Sequence, residues 1–115
     1  MPRIPQPIRS KLPRLNLRTK YWFEVDGRFA IGEGGIGLLR AIAIRGSLAR
    51  AAEDVGWSYR HAWGYLRRAE VTLGAILTVR RPGKGVKRGV DLSSFARALL
   101  RRVAQAQWPS GGIDR

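Results

Sequence analysis

Between residues 15 and 25 apolar and polar side chains alternate. Leu15, Leu17, Tyr21, Phe23 and Val25 fall on one side, Asn16, Arg18, Lys20 and Glu24 on the other, and Trp22 breaks the polar side. A period of two, rich in aromatic and β-branched residues, predicts a strand. Asp26 and Gly27 supply a turn, and residues 28–31 a short return strand, so a hairpin is expected. The period then lengthens. Through residues 32–45, Ile36, Leu39, Ile42 and Ala43 recur in steps of three and four, the core stripe of a helix, with Arg40 turned to solvent. Gly46 is a left-handed stop.

Residues 46–73, GSLARAAEDVGWSYRHAWGYLRRAEVTL, read as two short helices about a tight turn. Ser47 is suited to cap the first, whose buried face is Leu48, Ala51, Ala52 and Val55. Gly56 meets the turn's need for positive φ, Trp57 packs beside it, and Ser58 caps the second helix. That helix directs Ala62, Leu66, Ala69 and Leu73 inward, and Tyr59, Arg60, Trp63, Gly64 and Arg67 outward, with His61 between the faces as a packing residue. Small residue, glycine turn and capped second helix make a helix-turn-helix.

Residues 75–92 read as strand, loop, strand: Ile76 to Val79 going out, Arg81 to Gly85 as the turn, Val86 to Val90 returning. Ser93 caps a last helix reaching Trp108, with an apolar stripe of Phe95, Ala96, Leu99, Leu100, Val103 and Ala106. The stripe is wider than one small domain covers, so part of it suits a symmetric partner, and packing within the chain is the alternative. The expected fold is α+β, mainly α: a winged helix-turn-helix over residues 15–108, with an N-terminal strand or hairpin and a C-terminal dimerisation helix. A basic, proline-rich arm (residues 1–14) and a tail (residues 109–115) are expected to be disordered.

Charge narrows the function. Twenty-two Lys and Arg against eight Asp and Glu leave a net charge of +14, which points to a polyanion. Nucleic acid is favoured over a membrane surface, because the cations do not line one face of an amphipathic helix. There is no cysteine and one histidine, so neither a metal site nor a cofactor is expected. The glycines of GEGGIG fit neither a dinucleotide fingerprint nor a P-loop. No nucleophile–base set is present, so the chain reads as no enzyme. With no secretory signal or spanning segment legible, the expected location is the cytoplasm, at the nucleoid.

The outward residues of the second helix carry the candidate chemistry. Ser58, Tyr59, Arg60, Trp63 and Arg67 are placed to meet a major groove, the arginines as two-bond donors to guanine or phosphate. Trp63 is either such a contact or a half-buried packing residue. Ser47 at a helix N-terminus and Arg80, Arg81, Lys84, Lys87 and Arg88 on the second hairpin suit phosphates. Phe95, Leu99, Leu100 and Val103 are the candidate dimer contacts.

The run from Gly46 through the second hairpin resembles the N-terminal DNA-binding domain of molybdate-responsive ModE-type regulators, relatives of the LysR-type winged helix-turn-helix. The pieces that carry the resemblance are Gly46-Ser47, Ala51-Ala52 and G-x-SYRxAW from Gly56 to Trp63, with YWFEVDGRFAIGEGGIGLLRAI preceding them. The resemblance implies a homodimer on double-stranded DNA, read by Ser58, Tyr59, Arg60, Trp63 and Arg67, with Arg81 and Lys84 on the wing. Molybdate-sensing members carry C-terminal oxyanion-binding domains, for which these 115 residues leave no room. Molybdate is therefore not expected here, and sensing is either missing or on a separate protein. The expected function is sequence-specific transcription regulation. The alternatives are a non-specific nucleoid-type or RNA-binding structural protein, and an adaptor that recruits another protein through the last helix.

Overall fold

The computed structural model describes residues 13–81 and 89–107. The expectations for residues 1–12, for the wing tip with Lys84, Lys87 and Arg88, and for Trp108 and the tail lie outside these residues.

Strands β1 (Trp22–Val25) and β2 (Arg28–Gly32) form an antiparallel hairpin, with Asp26 and Gly27 at positive φ (51° and 79°). Consecutive left-handed residues match the right-handed twist of the strands they join. The strand is shorter than the alternation suggests. Leu15 and Leu17 are almost fully exposed (83% and 93%), and only Tyr21, Phe23 and the half-buried Val25 continue inward. The return strand runs one residue further, because Gly32 still pairs with Trp22, and a bulge between Phe23 and Glu24 leaves Ala30 without a partner across the hairpin.

Helix α1 (Glu33–Arg45) buries Gly35, Ile36, Leu38, Leu39, Ala41 and Ile42. The buried stripe thus leans toward Leu38 and leaves Ala43 exposed, because β2, α2 and β4 all pack against it. Gly46 ends α1 at φ 65°, its N–H donating to the Ile42 carbonyl at 2.8 Å. Helix α2 (Leu48–Val55) is followed by Gly56 at φ 78° and helix α3 (Tyr59–Leu73). Both caps form: the Ser47 hydroxyl accepts from Arg50 N at 3.2 Å, and the Ser58 hydroxyl from His61 N at 3.0 Å. Ala51, Ala52, Ala62, Leu66 and Ala69 close the space between the two helices and the core.

Strands β3 (Thr78–Arg81) and β4 (Gly89–Leu92) pair antiparallel, Thr78 opposite Leu92 and Arg81 opposite Gly89. The first strand starts two residues later than its pattern suggests. Leu77 is fully buried and Ile76 is exposed, because the chain is still leaving α3 at that point. Helix α4 (Ser94–Gln107) follows, with Ser93 capping it (Ala96 N to Oγ, 3.1 Å). Its stripe is narrower than expected. Ala96, Leu99 and Val103 are buried in the chain's own core, Leu100 packs against that core, and Ala106 is exposed. Tyr21, Trp22 and Phe23 form one wall of a cleft completed by Arg102, Val103 and Ala106, so the first hairpin covers apolar surface that the periodicity alone left free. Among the described residues, four helices and two small antiparallel sheets, with a helix-turn-helix beside a β-ribbon, make the α+β winged helix-turn-helix.

Candidate nucleic-acid interface

Helix α3 is held from three sides. Inward, Ala62, Leu66 and Ala69 are at most 2% exposed. Toward the hairpin, the Tyr65 hydroxyl accepts the Gly32 N–H at 2.9 Å, at the uncapped start of α1. That approach requires a glycine, since a Cβ on Gly35 would overlap the Tyr65 ring and Ile31. Trp57 packs against the core as expected, its ring 5.1 Å from that of Tyr65 and 4.4 Å, edge-on, from that of His61, which itself stays exposed. Toward the wing, Glu70 is buried (9%), and its Oε2 accepts the Leu77 N–H at 2.8 Å. The carbonyl of Glu70 also accepts from Gly74 and Ala75, so one residue closes the helix and starts the next strand.

The wing is tied to the helix-turn-helix by backbone. Val90 N–H donates to the Gly46 carbonyl at 3.1 Å, which adds the α1–α2 junction to the edge of β4. A side chain on Gly89 would collide with that carbonyl. Ser93 closes the ribbon's base. Its N–H donates to the Leu77 carbonyl at 2.9 Å and its hydroxyl to the Ile76 carbonyl at 2.7 Å.

What remains outward on α3 is basic and aromatic through Arg68, followed by the apolar Val71 at 83% exposed. Tyr59 is 56% exposed and Trp63 49%, and Arg60, Arg67 and Arg68 are exposed. Trp63 is therefore no core residue, and the Arg67 guanidinium lies over its ring at 5.3 Å. Arg67 Nη2 also sits 3.2 Å from Glu70 Oε1, so this arginine is partly engaged within the chain, while no ion pair forms at Arg60 among the described residues. Arg68, which lies outside the set expected from the sequence, extends the same face. Tyr65 and Glu70 carried no sequence signal either, since their partners are Gly32 and Leu77, outside their own helix.

Of the wing cations, Arg80 is exposed and Arg81 pairs loosely with Asp91 at 3.7 Å, lying over Gly46. Of the candidate dimer contacts, Leu99 (8%) and Val103 (4%) belong to the interior, Leu100 is half-buried, and Phe95 is 37% exposed. No group of three or more His, Cys, Asp or Glu among the described residues could hold a metal, and no described helix is long and apolar enough to cross a membrane.

The architecture is that of a winged helix-turn-helix domain. ArgP from Mycobacterium tuberculosis is similar in fold, with a TM-score of 0.50 and 22% identity over 64% of this chain, which spans 26% of the ArgP chain. A complex of the CbnR DBD with DNA is a looser likeness, with a TM-score of 0.48 and 25% identity over 67% of this chain and 86% of that one. No family model and no curated protein matches the sequence.

Proposed function

We propose that this chain is a sequence-selective double-stranded DNA-binding regulator of transcription that acts as a homodimer. The observation that supports it most is the exposed face of α3. Tyr59, Arg60, Trp63, Arg67 and Arg68 stand outward on a helix whose other sides are fixed to the core, the hairpin and the wing root. Large rings left half in water and guanidinium groups at the start of a capped helix are what a major groove accepts. The N-termini of α2 and α3, at Ser47 and Ser58, and the wing arginines Arg80 and Arg81 suit phosphates, which fix register without reading sequence. Lys84, Lys87 and Arg88 join them in this reading.

In the dimer, two copies of α3 enter successive major grooves, and the surface of α4 still open, centred on Phe95, meets its partner. The relation to ModE-type and LysR-type regulators belongs to the same proposal, as does a cytoplasmic location and a signal received on another polypeptide.

The test is selection of duplexes from a random pool, followed by competition of the selected duplex with scrambled duplex and with RNA. The reading expects selected DNA to win over scrambled DNA by about 10³-fold or more at physiological salt. Equal competition by all three would favour the non-specific structural role, which the net charge of +14 also suits.

A further inference from the structure

Gly64 lies in the middle of α3, where glycine weakens a helix relative to alanine. Its backbone angle is helical, not left-handed, so conformation does not demand glycine. Packing does not demand it either. A Cβ there would meet only Arg68 Nη1, at 3.2 Å, the free end of a flexible side chain. Every other described glycine except Gly37 has a positive φ or a neighbour that a Cβ would crowd. The fold therefore gives no reason for glycine at this position.

The surroundings do. Residues three and four apart share a helix face. Arg60 precedes Gly64 by four, Arg67 and Arg68 follow by three and four, and all three are exposed. Gly64 is a notch whose floor is helix backbone, with the flexible Arg68 Nη1 lying over it and the exposed Arg60 and Arg67 on the same face as its rim, the Arg67 guanidinium resting on Glu70 and Trp63. The rim supplies charge and hydrogen-bond donors, and the floor lets a planar partner come closer than any side chain would.

We propose that Gly64 is the point of closest approach between α3 and the duplex, where the bare helix backbone lies against a base edge in the major groove and excludes larger residues. The inference rests on the DNA-binding reading and adds to it a residue that discriminates by having no side chain. Glycine's absent bulk matters most where the helix sits deepest, and the flanking arginines then reach bases and phosphates on either side.

Gly64→Ala and the control Gly37→Ala in the 115-residue chain separate the outcomes. Both replace a helix-interior glycine that meets no backbone, so each should raise the melting midpoint by about 4 °C. Binding is read on the duplex selected from a random pool by the wild-type protein and on a scrambled duplex. Gly64→Ala should weaken the selected complex by about tenfold or more, the worth of one well-placed base contact, and leave the scrambled complex unchanged. Gly37→Ala should change neither. A Gly64→Ala protein that binds the selected duplex like wild type overturns the proposal while the DNA-binding reading stands. So does an equal loss on both duplexes, which would put a phosphate at the notch, or a lowered midpoint, which would assign the glycine to the fold. A wild-type protein without preference for the selected duplex would remove both the reading and the inference.

Discussion

Arg60 and Arg67 carry the same group on the same side of α3, but they start from different states. Arg60 forms no ion pair among the described residues, whereas Arg67 is shared between the Glu70 carboxylate and the Trp63 ring. The Arg67 side chain is 48% exposed against 9% for Glu70, and with the guanidinium largely in water the pair is worth on the order of 1 kcal/mol. A bidentate contact to a base is worth about 1–3 kcal/mol, so Arg67 can leave Glu70 for a duplex at a net gain. The stronger interaction of Glu70 is the buried bond from Leu77 N–H. Glu70→Ala should therefore destabilise by about 1–3 kcal/mol, while Glu70→Gln, which keeps an acceptor, and Arg67→Ala should each cost less than about 1 kcal/mol. Urea denaturation of the three variants checks the order, and equal losses from Glu70→Ala and Glu70→Gln would show the ion pair to dominate.

At the scale of elements, the helix-turn-helix is the part most legible in the sequence, because its determinants are local. Ser47, Gly56 and Ser58 act within three or four residues of themselves, and each does what its chemistry predicts. Ser58→Ala should cost about 0.5–2 kcal/mol and loosen the first turn of α3, measurable as faster amide exchange at His61. Exchange at His61 no faster than in wild type would show that the cap contributes little. Elsewhere, pattern and structure part for identifiable reasons. Leu15 and Leu17 keep the period of a strand but have no partner strand, so they stay in water. Ala43 and Ala106 fit their stripes, but alanine carries little information about facing, and both are exposed. Val103 fits a partner-facing stripe by its period, but the cleft wall of Tyr21, Trp22 and Phe23 that meets it lies more than seventy residues away in sequence, and Leu99 joins the chain's own core. Tyr65 and Glu70, which set the angle of α3 against the hairpin and the wing, act through distant backbone groups that periodicity does not register.

For the molecule as a whole, charge and symmetry decide how it engages a duplex. With a net charge of +14, most of the affinity for any DNA should be electrostatic and fall steeply with salt. Arg80, exposed on the wing, is assigned to phosphate in this account. Arg80→Ala should weaken selected and scrambled duplexes alike and flatten the slope of log K against log salt by about one, readable in a salt titration. A loss confined to the selected duplex would make it a base reader instead. Phe95, the large apolar residue of α4 that stays exposed, is the natural centre of a dimer contact. Phe95→Asp should leave the melting midpoint near that of wild type, reduce the mass in sedimentation from two chains to one, and shorten the footprint to one half-site. An unchanged mass would place the dimer contact elsewhere.

The central claim is that the outward face of α3 reads bases, and Arg60→Ala tests it most directly, because Arg60 supports no ion pair within the described fold. The ratio of affinities for selected and scrambled duplex should fall by about 10- to 100-fold with the melting midpoint unchanged. A ratio equal to that of the wild-type protein would contradict the account.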